Sequence, residues 1–168
     1  MPVIRLATAQ DLPVILALIA RVVPLMQASG NQQWSAEYPN EQVFRQDLDR
    51  HHLWVAELDG QVAAVAALTH NDQDPEYAQA DWDAEPALVT HRLAVDPAAQ
   101  GHGLAAALLQ HAETLATAQG LRTLRIDTNS ENVATQRLFP KLGYRFAGEI
   151  TLAFRPGLRF FCYEKRLA

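Results

Sequence analysis

Two glycines stand close together in Gln100-Gly101-His102-Gly103-Leu104-Ala105, between an apolar run ending at Val95 and a stretch rich in Ala, Leu and Gln. Where a strand gives way to a helix, the first backbone N–H groups lack intrahelical acceptors and the helix dipole is positive, so such a junction suits an anion. Glycine at 101 and 103 removes the Cβ atoms that would keep a bulky phosphate away from those N–H groups, which makes pyrophosphate the natural ligand. A tight turn needing glycine for its dihedral angles alone has the same spacing. So does a dinucleotide fingerprint, since Gly101-x-Gly103-x-x-Ala106 matches it and Asp127 stands near the end of the next strand, where a ribose-binding acid belongs. Against the dinucleotide, Asp96 to Gln100 intervene between strand and turn, and the unit comes mid-chain, after a hairpin, not first in a βαβ series.

Other chemistries find less support. The six histidines (51, 52, 70, 91, 102, 111) show no HExxH spacing, and the single cysteine, Cys162, has no CxxC or CxxH partner, so no metal site is expected. Cys162 also lacks an elbow motif or a histidine partner in sequence, and a buried strand thiol is the expectation.

The elements that position the turn follow from periodicity. Val3 to Ala7 alternates as a strand. Thr8 caps a helix whose apolar positions Leu12, Ile15, Leu16, Ile19, Val22, Val23 and Met26 recur at three and four, with Pro24 expected to bend or end it. An aromatic segment with Trp34 and Tyr38 leads to a short helix from about Asn40 to Arg50. His52 to Leu58, Asp59-Gly60 and Gln61 to Thr69 read as a hairpin, because Asp-Gly favours the positive φ values of a tight reversal. Asn71 to Glu85 has no apolar period and is expected to be a loop. Ala87 to Val95 is a strand, the stretch from Gly101 to Gln119 a helix ended by Gly120, and Leu121 to Thr128 a strand. A helix from Asn132 to about Leu142, with Pro140 expected to kink or shorten it, precedes strands Tyr144 to Thr151 and Arg159 to Arg166. The order is β-α-α-β-β-β-α-β-α-β-β, an α/β (α+β) mixed sheet flanked by helices, read as one domain over residues 1–168.

Charge narrows the partners. Fourteen basic side chains against nineteen acidic give a net charge of −5, which argues against a phosphate-backbone binder with a broad basic surface. The segment Asn71 to Glu85 holds six acids and no base, and these account for the whole acidic excess. Leu12 to Met26 reads as too short for a bilayer and carries Arg21, and no export signal is visible. A reducing, cytoplasmic setting without nucleic acid or membrane is expected, and a homodimer is left open.

His91-Arg92-Leu93-Ala94-Val95-Asp96-Pro97 followed by Gln100-x-x-Gly103-x-Ala105 resembles the acetyl-CoA signature of GNAT acetyltransferases. Asn132 through Leu138-Phe139 and Lys141-Leu142-Gly143-Tyr144 resembles that family's later helix and following strand. Gln33-Trp34…Tyr38-Pro39 and Phe161-Cys162-Tyr163-Glu164-Lys165 are similar to a bacterial subset whose acceptors the resemblance does not name. The resemblance implies an N-acetyltransferase taking acetyl-CoA as co-substrate, without metal, and an amine of a small molecule or peptide as acceptor, by direct attack in a ternary complex. It implies that main-chain groups of Gln100, Gly101, His102, Gly103, Leu104 and Ala105 hold the CoA pyrophosphate. Leu93, Ala94 and Val95 would pair with the pantetheine arm in a gap between splayed strands, with an N–H near Val95 polarising the thioester carbonyl. Asn132 would touch that arm, or serve only as a helix cap.

An alkyl amine, with an ordinary pKa near 10, must shed a proton before it attacks. Candidate bases are His91, the carboxylates between Asp81 and Glu85, and Glu164. By strand alternation Arg92 is expected on the face opposite His91, binding an acidic substrate group or pairing with a loop carboxylate. The family's thiolate-protonating tyrosine would fall at position 139, where this chain has phenylalanine, and Tyr144 is the available substitute. Trp34, Tyr38, Tyr77 and Trp82 lie in segments that the resemblance puts around the acceptor, or else pack under loops. A cationic amine facing the acidic loop and aromatic walls is the expected acceptor. Two other readings stay open: a CoA-binding sensor with little catalysis, suggested by the missing tyrosine, and an NAD(P)-dependent oxidoreductase with a Rossmann-type turn.

Overall fold

The alternating and helical stretches assemble, in a computed structural model that describes residues 1–70, 75–83 and 86–168, into one seven-stranded mixed sheet with helices on both faces. In chain order the elements are β1 (Val3–Leu6), α1 (Leu12–Ala28), α2 (Glu41–Asp49), β2 (Leu53–Leu58), β3 (Gln61–His70), β4 (Ala87–Val95), α3 (Leu104–Ala118), β5 (Thr123–Asn129), α4 (Val133–Lys141), β6 (Arg145–Ile150) and β7 (Phe160–Arg166). This is the expected element order. The strands lie side by side as β1-β2-β3-β4-β5-β7-β6, and of the neighbouring pairs only β4 and β5 run parallel.

Each helix meets the sheet through its apolar stripe. On one face Leu12, Ile15, Leu18, Ile19 and Val23 of α1, with Phe44 of α2, pack on Val55 and Val65. On the other, Leu104, Leu108, Leu109, Ala112 and Ala116 of α3 pack on Leu88, Leu124 and Ile126, joined by Phe139 of α4. The hairpin turn carries positive φ at both Asp59 and Gly60, as its sequence requires.

Three expectations need correction. Pro24 neither ends nor interrupts α1, which continues to Ala28; Ala20, four residues back, whose carbonyl proline deprives of a helical donor, is an exposed residue. With the 3₁₀ turn before it, this helix forms a run from Ala9 to Ala28, 20 residues long and apolar enough by length and composition to cross a membrane, longer than the sequence reading allowed. Its buried stripe is packed on the sheet, and Arg21 Nη2 lies 2.5 Å from Asp96 Oδ2. The segment after β3 is not wholly loop either: Pro75–Gln79 is a 3₁₀ helix, because Tyr77 buries its ring beneath it in a cluster with Val89, Ala147 and Phe160. Asn71 to Asp74 and Ala84 to Glu85 of the expected loop lie outside the described residues. Pro140 falls in the last turn of α4, where it ends the helix one residue later and leaves Phe139 facing the core.

Two features of β4 create the site. Its pairing with β5 stops at Thr90↔Ile126, although both strands run on, β4 still paired to β3 and β5 still paired to β7. The sheet therefore opens a gap between His91–Val95 and Asp127–Asn129. Within that gap β4 bulges: Arg92 and Leu93 together face the single residue Ala66, and Arg92 sits at φ +53.

Candidate active site

The turn after β4 is built from local bonds. Asp96 Oδ1 accepts from the Ala98 N–H at 3.0 Å and forms a 3₁₀ turn over Pro97–Ala99, after which Gly101 (φ +84) and Gly103 (φ +71) swing the chain into α3. Both are left-handed, a conformation that costs a side-chain-bearing residue roughly 1–2 kcal/mol. A Cβ built on either would meet nothing within 4 Å, so the space beside both glycines is open. Gly103 caps α3, and its carbonyl accepts the first helical bond, from Ala107 N, at 2.9 Å. The N–H groups of Leu104, Ala105 and Ala106 precede any intrahelical acceptor.

A cavity of about 730 Å³ runs from this turn through the gap between β4 and β5 to loops on the far side. Gln100, Gly101, Gly103, Leu104 and Ala105 line one end, Leu93, Ala94 and Val95 the middle, and Trp34 and Tyr38 the other end. Asn132 joins them while also capping α4, its Oδ1 accepting from Thr135 N at 3.2 Å. The tertiary structure thus gathers most residues singled out by spacing. His102 is the exception at the turn: its ring is exposed, with Nδ1 3.1 Å from the Ala99 carbonyl, and only its main chain belongs to the junction.

His91 and Arg92 both line the cavity, against the expectation of opposite faces, because the bulge resets the alternation of β4. Arg92 does not meet a loop carboxylate. Its Nε and Nη2 donate to Asp47 Oδ2 and Oδ1 at 2.7 Å each, and Nη1 donates to the Tyr38 hydroxyl at 3.3 Å. Burial pushes the guanidinium down, but hydrogen bonds and charge from Asp47, with help from Tyr38, outweigh it and hold Arg92 above the ordinary arginine range.

Two candidate acids or bases, and one aromatic wall, lie elsewhere. Glu164 is 1 % exposed and outside the cavity lining; Arg125 Nε and Arg145 Nη2 hold it at 2.9 and 2.6 Å, and it also accepts from Asp83 N. Tyr144 packs on Phe139, ring centroids 5.8 Å apart, with its hydroxyl buried and without a hydrogen-bond partner, and burial together with the Glu113 charge pushes that hydroxyl well above the usual tyrosine range. Neither reaches the gap, since β7 and the start of β6 are one and two strands beyond it. Trp82 donates its indole N–H to the Tyr77 carbonyl and lies under Arg125, so it fastens a loop and does not wall the cavity. Asp83, from the expected acidic wall, faces Arg145 and Arg166 at 3.9 and 3.8 Å.

Their places are taken by residues the sequence did not single out for this role. Asp127 lines the cavity and accepts a short hydrogen bond from the Tyr77 hydroxyl, with Phe154 and Leu152 of the β6–β7 loop and Met26 of α1 completing the far wall. Asp127 was legible only as a ribose-binding acid, and Asp47 not at all, since the contacts that define both join segments 50 and 45 residues apart. Cys162, opposite Asp127 on β7, is fully buried, and burial with the Asp127 charge pushes its thiol well above the usual range. No group of three or more His, Cys, Asp or Glu that could hold a metal occurs among the described residues.

The sequence model of the Acetyltransferase (GNAT) family matches residues 19–144, three quarters of the chain, and spans both the glycine turn and the gap. The chain belongs to the GNAT family. This GNAT chain is 27 % identical over 152 residues to the uncharacterized N-acetyltransferase YesJ of Bacillus subtilis (strain 168), covering 84 % of this chain and 81 % of that protein. A GNAT-family acetyltransferase of Streptococcus agalactiae 2603 superposes with a TM-score of 0.86 at 29 % identity, over 99 % of this chain and 96 % of the other. An N-acetyltransferase of Staphylococcus aureus Mu50 superposes at 0.71 with 25 % identity, over 100 % and 99 %. The dinucleotide reading of the turn falls with this assignment: a GNAT sheet with one parallel pair is not a doubly wound parallel sheet. The protein is an acetyltransferase of the GNAT fold.

Proposed function

We propose that this GNAT protein moves an acetyl group from acetyl-CoA to an amine of a small molecule or peptide, by direct attack while both are bound. The observation that carries the reading is the gap between β4 and β5, continuous with open space beside Gly101 and Gly103. The residues present fit the coenzyme. Main-chain N–H groups from Gly101 to Ala105 would bind its pyrophosphate, and the β4 edge at Leu93 to Val95, unpaired on the β5 side, would bond the pantetheine arm. Acetyl-CoA supplies an activated acyl thioester.

His91 takes the proton that the ammonium must lose before attack, since imidazole is the side chain whose ordinary titration lies nearest neutral pH. The new N–C bond forms as the C–S bond breaks, and the second proton released from nitrogen ends on the thiolate. Direct attack is favoured over an acyl-enzyme because Cys162 is buried and held protonated. Phe139, 1 % exposed and at the cavity wall, offers no hydroxyl to the departing sulfur. With thiols near pKa 8.5, protonation at pH 7 is worth about 2 kcal/mol, so the missing acid need not abolish turnover. The domain is read as one unit acting without a metal in the cytoplasm.

Calorimetry with acetyl-CoA and with CoA on the folded protein tests the binding half, and thiol release with an amine panel tests the transfer. Binding heat with acetyl-CoA and amine-dependent thiol release are expected. Heat without thiol release would identify a CoA sensor, and a melting temperature raised by NAD(H) alone would restore the oxidoreductase.

A further inference from the structure

We infer that Arg155 holds a carboxylate of the acceptor, which is therefore an amine that also carries a carboxylate: a free amino acid or the C-terminal end of a short peptide. This rests on the acetyl-transfer reading above. Leu152 to Leu158, between β6 and β7, fold back on themselves, with Arg155 N donating to the Leu152 carbonyl at 3.0 Å and Leu158 N to the Arg155 carbonyl at 3.3 Å. This loop is fastened to both segments that wall the far end of the cavity. Ala153 N donates to Glu76 Oε2 of the 3₁₀ turn at 2.7 Å, and Phe154 meets Tyr38, of the segment after α1, ring to ring at 5.5 Å. Leu152 and Phe154 line the cavity from the loop, and Gln33, Trp34 and Tyr38 from the segment after α1.

Arg155 joins the same two segments, since its Nε donates to the Gln33 carbonyl at 2.7 Å. Its Nη2 is buried and has no hydrogen-bond partner among the described residues, and no described carboxylate pairs with the guanidinium. A buried donor left unpaired on a full charge is costly, and the chain avoids that elsewhere. Arg92 is held through two nitrogens by Asp47, and Arg125 by Glu164 at 2.9 Å. Arg155 differs from both in standing one layer behind a cavity wall, next to Phe154 and bonded to Gln33, which form that wall. A long, rotatable side chain can bring its terminal nitrogens to a ligand there. With Nε committed to Gln33, the Nη1–Nη2 edge remains, and that edge matches the two oxygens of a carboxylate. The counter-ion missing from the described protein is thus one that an acceptor in this cavity supplies.

The test measures kcat and KM, with saturating acetyl-CoA, for L-phenylalanine, glycylphenylalanine and the carboxamide of each. In the parent, the acid of the reacting pair is expected to have a KM about tenfold below that of its carboxamide, and the pair that reacts tells a free amino acid from a peptide end. Arg155→Gln removes the charge but keeps an N–H donor, and should lower kcat/KM for the acid about 30-fold more than for the carboxamide. Arg155→Lys, which retains the charge without the fork, should recover part of that difference. Melting curves and acetyl-CoA calorimetry identify the folded variants. An equal fall for acid and carboxamide would make Arg155 a fastener of the loop alone and overturns the inference. So does a parent KM for the carboxamide equal to or below that of the acid, a result that needs no variant. Binding of acetyl-CoA with no turnover of either pair also overturns it. Absence of acetyl-CoA binding instead removes the acetyl-transfer reading on which it rests.

Discussion

Arg92 and Asp47 meet through two hydrogen bonds of 2.7 Å, with side chains only 15 % and 7 % exposed, and this pair ties the bulge of β4 to α2. Arg92 holds a left-handed backbone at φ +53, and the Asp47 fork anchors its side chain there. The bulge brings His91 and Arg92 into one cavity and lets the edge of β4 from Leu93 to Val95 face the gap.

Asp47→Ala leaves a largely buried guanidinium without its anion and is expected to cost about 3 kcal/mol of stability by denaturant unfolding. Turnover of the folded fraction should fall as well, because the bulge loses its anchor. A variant as stable and active as the parent would show the pair to be incidental.

Gly103→Glu puts a carboxylate where the coenzyme's pyrophosphate is proposed to bind. The space is open, so the variant is expected to fold, at a cost of roughly 1–2 kcal/mol for the left-handed residue. Acetyl-CoA affinity by calorimetry should fall by about 100-fold or more, while Gly103→Ala, with the same backbone cost and no charge, should retain most of it. Equal affinities for the two would remove the phosphate assignment.

His91→Ala should lower kcat at neutral pH by about 100-fold and recover activity toward high pH, where the amine is deprotonated in solution. The acetyl-CoA dissociation constant should not move. The pH–rate profile is the deciding measurement: an unaltered profile would reject His91 as the proton acceptor.

His111 of α3 stacks on Trp54 of β2 at 4.2 Å between ring centroids, with Nε2 buried and without a hydrogen-bond partner. Burial pushes this imidazole below its ordinary value of 6.5, so the unfolded chain binds its proton more readily than the folded one. Stability should therefore decline as pH falls from about 6.5 through the folded value, and be independent of this group above about 6.5. His111→Phe keeps a ring on Trp54, and its melting temperature should decline less than the parent's over that window. Parallel melting curves would exclude the linkage.

The amino-acid sequence by itself determined the order of elements, the hairpin at Asp59-Gly60 and the glycine turn at 101–103, because periodicity, capping and left-handed turns are local consequences of residue type. It also identified His91, Trp34 and Tyr38 as cavity residues, through strand position and resemblance. Only the tertiary structure decided what surrounds them. The bulge at Arg92 depends on Asp47, 45 residues away, and cancels the alternation from which opposite faces had been read. Glu164 and Tyr144 left the site because strand order, set by β7 inserting between β5 and β6, carries them away from the gap. Asp127 entered it because β4 and β5 part after Thr90↔Ile126, and there its carboxylate meets the Tyr77 hydroxyl, 50 residues distant. Such pairings depend on packing between segments far apart in the chain, and no local pattern encodes them.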